Sequence, residues 1–297
     1  MDRGDEWTAR NPGKDFPMND QTRVWFVTGC SSGFGRSLAE RVVASGDRLV
    51  ATARDAAAIA DLETLAPDAV RTFALDVIDP ARIRAVVAEA AMVWGRIDVA
   101  VNNAGYGLVG ALEECADAQI EQNFAVNLTG PLHVMRAVLP VMRSQRSGHI
   151  INVSAAAAIA NYPGFSVYGG AKCGLEGVSE GVRAEVAPLG IKVTLVRPGP
   201  FRTRFVARSL ERAAGHIADY DATSGKFAQL LGRMDGRQPG DPDRAAAAIV
   251  KMVQDGRSPL RLVLGRYALD KSRKALAAAE AELAEWAPVG LAADFTA

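Results

Sequence analysis

The chain has 297 residues, with 34 Lys and Arg against 34 Asp and Glu, and 49% of it is hydrophobic. Zero formal charge argues against a binder of nucleic acid or anionic membrane, which needs a basic excess, and no apolar run of about 18 residues predicts a membrane span. Cys30, Cys115 and Cys173 form no C-x-x-C pair and no zinc spacing, so neither disulfides nor a metal is expected, and scattered reduced thiols fit a cytoplasmic protein.

Residues 1–21 are polar, carry Pro12, Gly13 and Pro17, and lack the apolar core of a signal peptide; they read as a disordered tail. Short apolar runs then alternate with helical patterns. Strands are expected at 24–29, 48–53, 70–77 and 97–105, with helices at 37–46, 56–65 and 81–95 between them. Further strands are expected at 149–154, 192–199 and 260–265. Several of these runs are apolar on both faces, as in a parallel sheet covered by helices. The alternation predicts one doubly wound α/β domain over 22–266. Within it, 203–240 carries four glycines and scattered aromatics and reads as a mobile excursion. Residues 267–297 should form a C-terminal helix, over 267–286, and a tail.

The first strand runs into Thr28-Gly29-Cys30-Ser31-Ser32-Gly33-Phe34-Gly35 and then a helix. A tight turn opening a helix presents backbone N–H groups and the positive end of the helix dipole to a pyrophosphate. Its glycines allow the turn, the approach of a phosphate and close helix packing. The same stretch also matches G-x-S-x-G, so Ser31 stands as an alternative nucleophile of a serine hydrolase, with His133, His149 or His216 as its base. At the end of the second strand, Ala53 stands where a carboxylate would hold the ribose of NAD, and Arg54 follows. A guanidinium there suits the 2′-phosphate of NADP. NADP is therefore favoured with NAD possible, unless Arg54 is only a solvated helix-start residue.

Ser154 ends the 149–154 strand, and Tyr168 and Lys172 follow, four residues apart. On a helix both face the same way. An ammonium and an oxidised nicotinamide would lower the phenol pKa, and such a phenol can exchange a proton with an alcohol or carbonyl while hydride moves.

With these residues in place the chain resembles the tyrosine-dependent short-chain dehydrogenase/reductases of compact form. The likeness runs motif by motif over about 22–204 and less specifically to about 265. Thr28 to Gly35 looks like the family's glycine turn, Asp76-Val77 like its adenine contact, and Asn102-Asn103-Ala104-Gly105 like its N-N-A-G segment. Asn127 matches the asparagine that holds a relay water. Ser154, Tyr168 and Lys172 match the other catalytic members, and Pro198-Gly199 with Thr203 the nicotinamide-contacting segment. The resemblance implies a Rossmann-type sheet of about seven strands. It implies Tyr168 as general acid/base, Lys172 lowering its pKa and holding the nicotinamide ribose, Ser154 polarising the substrate oxygen and Asn127 carrying the relay. On this reading no catalytic member is missing.

The 203–240 segment sits where such proteins close over substrate. Phe201, Phe205, Leu210, Tyr220, Phe227, Leu230, Leu231 and Met234 point to a hydrophobic ketone, aldehyde or alcohol, or else simply pack the lid. The family resemblance also implies a homodimer or homotetramer through the helices of Asn127 and Tyr168. A cofactor-binding sensor or scaffold with little turnover remains the alternative to an enzyme.

Overall fold

The computed structural model describes residues 22–295; the expected tail at 1–21 lies outside them. Seven strands form one parallel sheet. They are β1 (Val24–Thr28), β2 (Arg48–Ala53), β3 (Val70–Ala74), β4 (Val99–Asn102), β6 (Gly148–Val153), β7 (Ile191–Pro198) and β9 (Arg261–Leu264), in the order β3-β2-β1-β4-β6-β7-β9. Two three-residue strands, β5 (Gly107–Val109) and β8 (Leu210–Arg212), pair separately. The long helices are α1 (Gly33–Ala44), α3 (Pro80–Trp94), α5 (Gly130–Gln145), α6 (Ser166–Val186), α9 (Pro242–Gln254) and α10 (Arg266–Leu291). Shorter ones are α2 (Ala60–Leu65), α4 (Asp117–Phe124), α7 (Phe205–Arg208) and α8 (Lys226–Met234).

Alternation along β1 builds both faces of the sheet. Trp25 and Val27 pack with Leu38 of α1 and Ile249 of α9. Phe26 packs on the other side with Ile83 of α3, Val134 of α5 and Ile150 of β6. Strands buried on both faces are what the continuous apolar runs require. Helix starts are capped where Asp precedes Pro: Asp79 accepts from the amides of Ala81 and Arg82, and Asp241 from those of Asp243 and Arg244.

The strand order reverses between β1 and β4, and a crevice opens there at the carboxyl ends of the strands. Some boundaries differ from expectation. β3 stops at Ala74, so Asp76 and Val77 follow the strand rather than close it; the Asp76 carboxylate accepts from the Ile78 amide at 3.2 Å and turns the chain. The 203–240 segment carries α7, β8 and α8. The C-terminal helix runs to Leu291.

Candidate functional site

A cavity of about 820 Å³ fills the crevice, within the size range of cofactor and ligand sites. It brings together nearly every residue singled out above. Ser31 to Gly35, Arg54, Asp76, Val77, Asn103 to Gly105, Asn127, Ser154, Tyr168, Lys172, Pro198, Gly199 and Thr203 all line it. Thr28 does not. It is buried behind the turn, where its hydroxyl accepts from the amides of Asn103 and Ala104 at 3.0 and 3.1 Å. Asn103 braces the same turn, donating from Nδ2 to the carbonyls of Thr28 and Gly29 at 2.9 and 3.1 Å.

The turn itself fits a dinucleotide. Gly29 has φ +76°, which favours glycine. A Cβ at Gly35 would collide with the Gly29 carbonyl and the Asn103 amide, so only glycine lets α1 sit this close. Ser32 makes no side-chain cap, leaving the first amides of α1 to a ligand. At the far side of the turn, β2 ends in Ala53 and exposed Arg54, which has no ion-pair partner among the described residues. Asp55, the nearby carboxylate, is occupied by the Ala57 amide at 2.9 Å.

Tyr168 and Lys172 lie one turn apart on α6, both buried. Lys172 Nζ donates to the Val153 carbonyl at 3.0 Å. Burial lowers its pKa from 10.5 to about 8. Burial also pushes the Tyr168 phenol up. The Lys172 ammonium lies 6.0 Å from the centre of the Tyr168 ring. Asn127 sits in a wide i→i+5 turn between α4 and α5. Its Nδ2 donates to the carbonyls of Tyr106 and Asn123 at 2.8 and 3.1 Å. Its Oδ1 is buried with no partner among the described residues, and a Cβ at Gly105 would lie 2.7 Å from that oxygen and 3.4 Å from Lys172 Nζ. An unpaired acceptor beside an ammonium suits a water molecule.

Ser154 is the residue whose hydroxyl is placed differently from expectation. It donates to Glu176 Oε1 at 2.6 Å. Glu176 is held by Arg197, whose Nε reaches Oε1 at 2.8 Å and whose Nη2 reaches Oε2. This triad, with Ser154 and Glu176 buried and Arg197 half-buried, was not read from the sequence. Its signals were a charge inside an otherwise apolar strand, Arg197, and a carboxylate one turn beyond Lys172.

Aromatic side chains enclose the end of the cavity around Tyr168. Phe165 packs edge-on against Tyr168 at 5.1 Å and against Phe227 at 4.9 Å, and Tyr162 stacks on Phe227 at 5.0 Å. Phe205 of α7 stands 6.0 Å from Tyr168. No histidine lines the cavity, and His149 is buried on Thr194 Oγ1 at 2.9 Å. Ser31 therefore has no base beside it, which removes the support for the hydrolase reading.

A parallel sheet with a glycine turn at its switch point and a Tyr–Lys pair in the same crevice defines a nucleotide-dependent oxidoreductase. The family model described as short chain dehydrogenase matches residues 23–214. Oxidoreductase BOA17 of Botryotinia fuckeliana is 35% identical over 272 residues, 91% of this chain and 99% of that protein. A short-chain dehydrogenase from Streptomyces avermitilis has a solved structure with TM-score 0.87 and 42% identity, covering 93% of this chain and all of that one. A metagenomic short-chain oxidoreductase solved with NADP has TM-score 0.65 and 26% identity, covering 82% and 96%. The chain belongs to the short-chain dehydrogenase family; it is an oxidoreductase of the alcohol–carbonyl type that uses a nicotinamide cofactor. No helix among the described residues is long and apolar enough to cross a membrane.

Proposed function

We propose that the protein interconverts an apolar ketone or aldehyde and its alcohol with NADP(H), with Tyr168 as general acid and base. One observation carries this: the Tyr168–Lys172 pair, the Gly29–Gly35 turn and Arg54 all face one cavity, whose end around Tyr168 is aromatic. The bound nicotinamide would supply or accept the hydride. The protein's own residues do the rest. The amides opening α1 receive the pyrophosphate, and Asp76 and Val77 the adenine side. Arg54 receives the 2′-phosphate, a role that Asp55 does not oppose because its carboxylate is committed to Ala57. Pro198, Gly199 and Thr203 border the nicotinamide end.

In reduction, Tyr168 gives its proton to the substrate oxygen; in oxidation it takes the proton back. Lys172 holds the cofactor ribose and offsets the charge of the phenolate. Asn127, with its unpaired Oδ1, holds the water that returns the proton. Phe165, Phe205 and Phe227 favour an apolar substrate by area burial. The 203–240 segment is the lid over it.

The protein acts as a homodimer or homotetramer through the face of α6, where Gly177 and Gly181 leave open space for a second helix. The test is fluorescence titration with NADPH and NADH, followed on the same sample by NADPH oxidation with a panel of apolar ketones and aldehydes. Tighter NADPH binding with turnover is expected. Binding without turnover across the panel would favour a sensor, and no binding of either cofactor would refute the proposal.

A further inference from the structure

We infer that Ser154 serves the fold by holding Glu176, and that Tyr168 meets the substrate oxygen with no serine hydroxyl beside it. The inference rests on the proposed function and deepens it. A hydroxyl has one proton to donate. Ser154, 2% exposed, donates it to Glu176 at 2.6 Å. Both Glu176 oxygens are in turn held by Arg197. Turning the hydroxyl toward a substrate would break a charge-assisted bond and leave a buried carboxylate short of a donor. Strand alternation gives the same answer. Asn152 donates to Ser179 of α6 at 2.8 Å, and Ser154, two residues on, reaches Glu176 of the same helix. Ala155 continues the extended backbone and turns the other way, into the cluster of Tyr168, Phe165 and Val109. The strand-end side chain against Tyr168 is thus a methyl group.

The test compares Ser154→Ala, Ala155→Ser and Tyr168→Phe for kcat, KM and thermal midpoint, using the ketone that the panel selects. Ser154→Ala should lower the midpoint and leave kcat within about threefold, whereas losing a donor to a developing oxyanion costs about 10²–10³ in kcat. A loss of that size, with the fold intact and KM unchanged, overturns the inference. If Ser154→Ala does not fold, Ala155→Ser decides: a raised kcat supports the inference and an unchanged or lowered one refutes it. Turnover by Tyr168→Phe would instead refute the proposed function, whatever Ser154 does.

A separate observation carries a second inference. The geometry points to α10 as an arm that pairs antiparallel with α10 of a second copy of this chain. The helix is anchored at its start by buried Ala268 and by the Tyr267 hydroxyl, 2.8 Å from that of Tyr162. From Leu276 to Phe295 every residue but Ala287 is exposed. Leu269, Leu276 and Leu283 recur every seven residues, 44%, 72% and 68% exposed, with Trp286 continuing the row. Such a row is the seam of a two-helix pairing, and small Ser272 and Ala279 beside it allow close approach.

Charge selects the occupant. The first half of the helix carries Arg266, Lys271, Arg273 and Lys274 against Asp270; the second carries Glu280, Glu282 and Glu285 and no base. An anionic lipid surface would be repelled by the second half. An antiparallel second copy sets the net-basic first half against the acidic second half, with Leu276 on the two-fold axis and Leu269 facing Leu283 of the partner subunit.

Cysteine cross-linking in the full chain, with Cys115 and Cys173 replaced by Ser, tests this. Leu276→Cys should form a disulfide-linked dimer alone, and Leu269→Cys and Leu283→Cys only when mixed. Failure of Leu276→Cys to cross-link above the background chain, or self-linking by Leu269→Cys, overturns the inference.

Discussion

Lys172 donates its ammonium proton to the Val153 carbonyl at 3.0 Å while lying 6.0 Å from the centre of the Tyr168 ring. The ammonium is thus held in place by backbone. Its cost is visible in its pKa, lowered by burial from 10.5 to about 8. The unfolded chain binds more protons than the folded one between those values, so Lys172 makes stability rise with pH across that window. Lys172→Met should flatten that rise, stabilise the cofactor-free chain at pH 7, and lower kcat by about 100-fold or more. Urea denaturation from pH 7 to 10.5, with parallel kinetics, checks all three.

His149 gives an opposite end to the pH profile. Burial lowers its pKa from 6.5 to about 4, helped by nearby Lys192 and Arg183. Its folded form is neutral where the unfolded form is charged, so stability is complete above pH 6.5 and falls as pH drops toward 4. The loss reaches roughly 3 kcal/mol. His149→Gln should remove most of this slope, as read by urea midpoints between pH 4 and 7.

Cofactor choice turns on one side chain. Arg54→Asp should reverse the preference, weakening NADPH and improving NADH so that their affinity ratio shifts by about 100-fold, roughly two hydrogen-bonded charge contacts. Fluorescence titration of both cofactors measures it.

The glycine turn allows no side chain at Gly35. Gly35→Ala should cost about 1–3 kcal/mol of stability and abolish cofactor binding, because α1 must move off the turn that receives the pyrophosphate. Thermal shift with and without NADPH separates the two effects.

Much of this was legible in the sequence, and the exceptions have physical causes. The strand from Val24 to Thr28 could be read because it is apolar on both faces. Helices α4 and α5 were given no bounds from the sequence, because Pro131 and Pro140 interrupt the pattern of α5 and a wide i→i+5 turn joins the two. The strands β5 and β8, three residues each, carry no period at all. Gly29, Gly33 and Gly35, readable as a backbone-fixing motif, line the cavity. The direction of the Ser154 hydroxyl was not legible. It depends on a one-residue alternation at a strand end, and on Glu176, 22 residues away.

The most direct test is single-turnover NADPH oxidation by the wild type and by Tyr168→Phe, each shown beforehand to bind NADPH equally. A rate lost by at least about 10³ in Tyr168→Phe, with binding intact, is the predicted result, since the proton on the substrate oxygen has no other donor. Equal rates in the two proteins would contradict Tyr168 as the acid and base of the reaction.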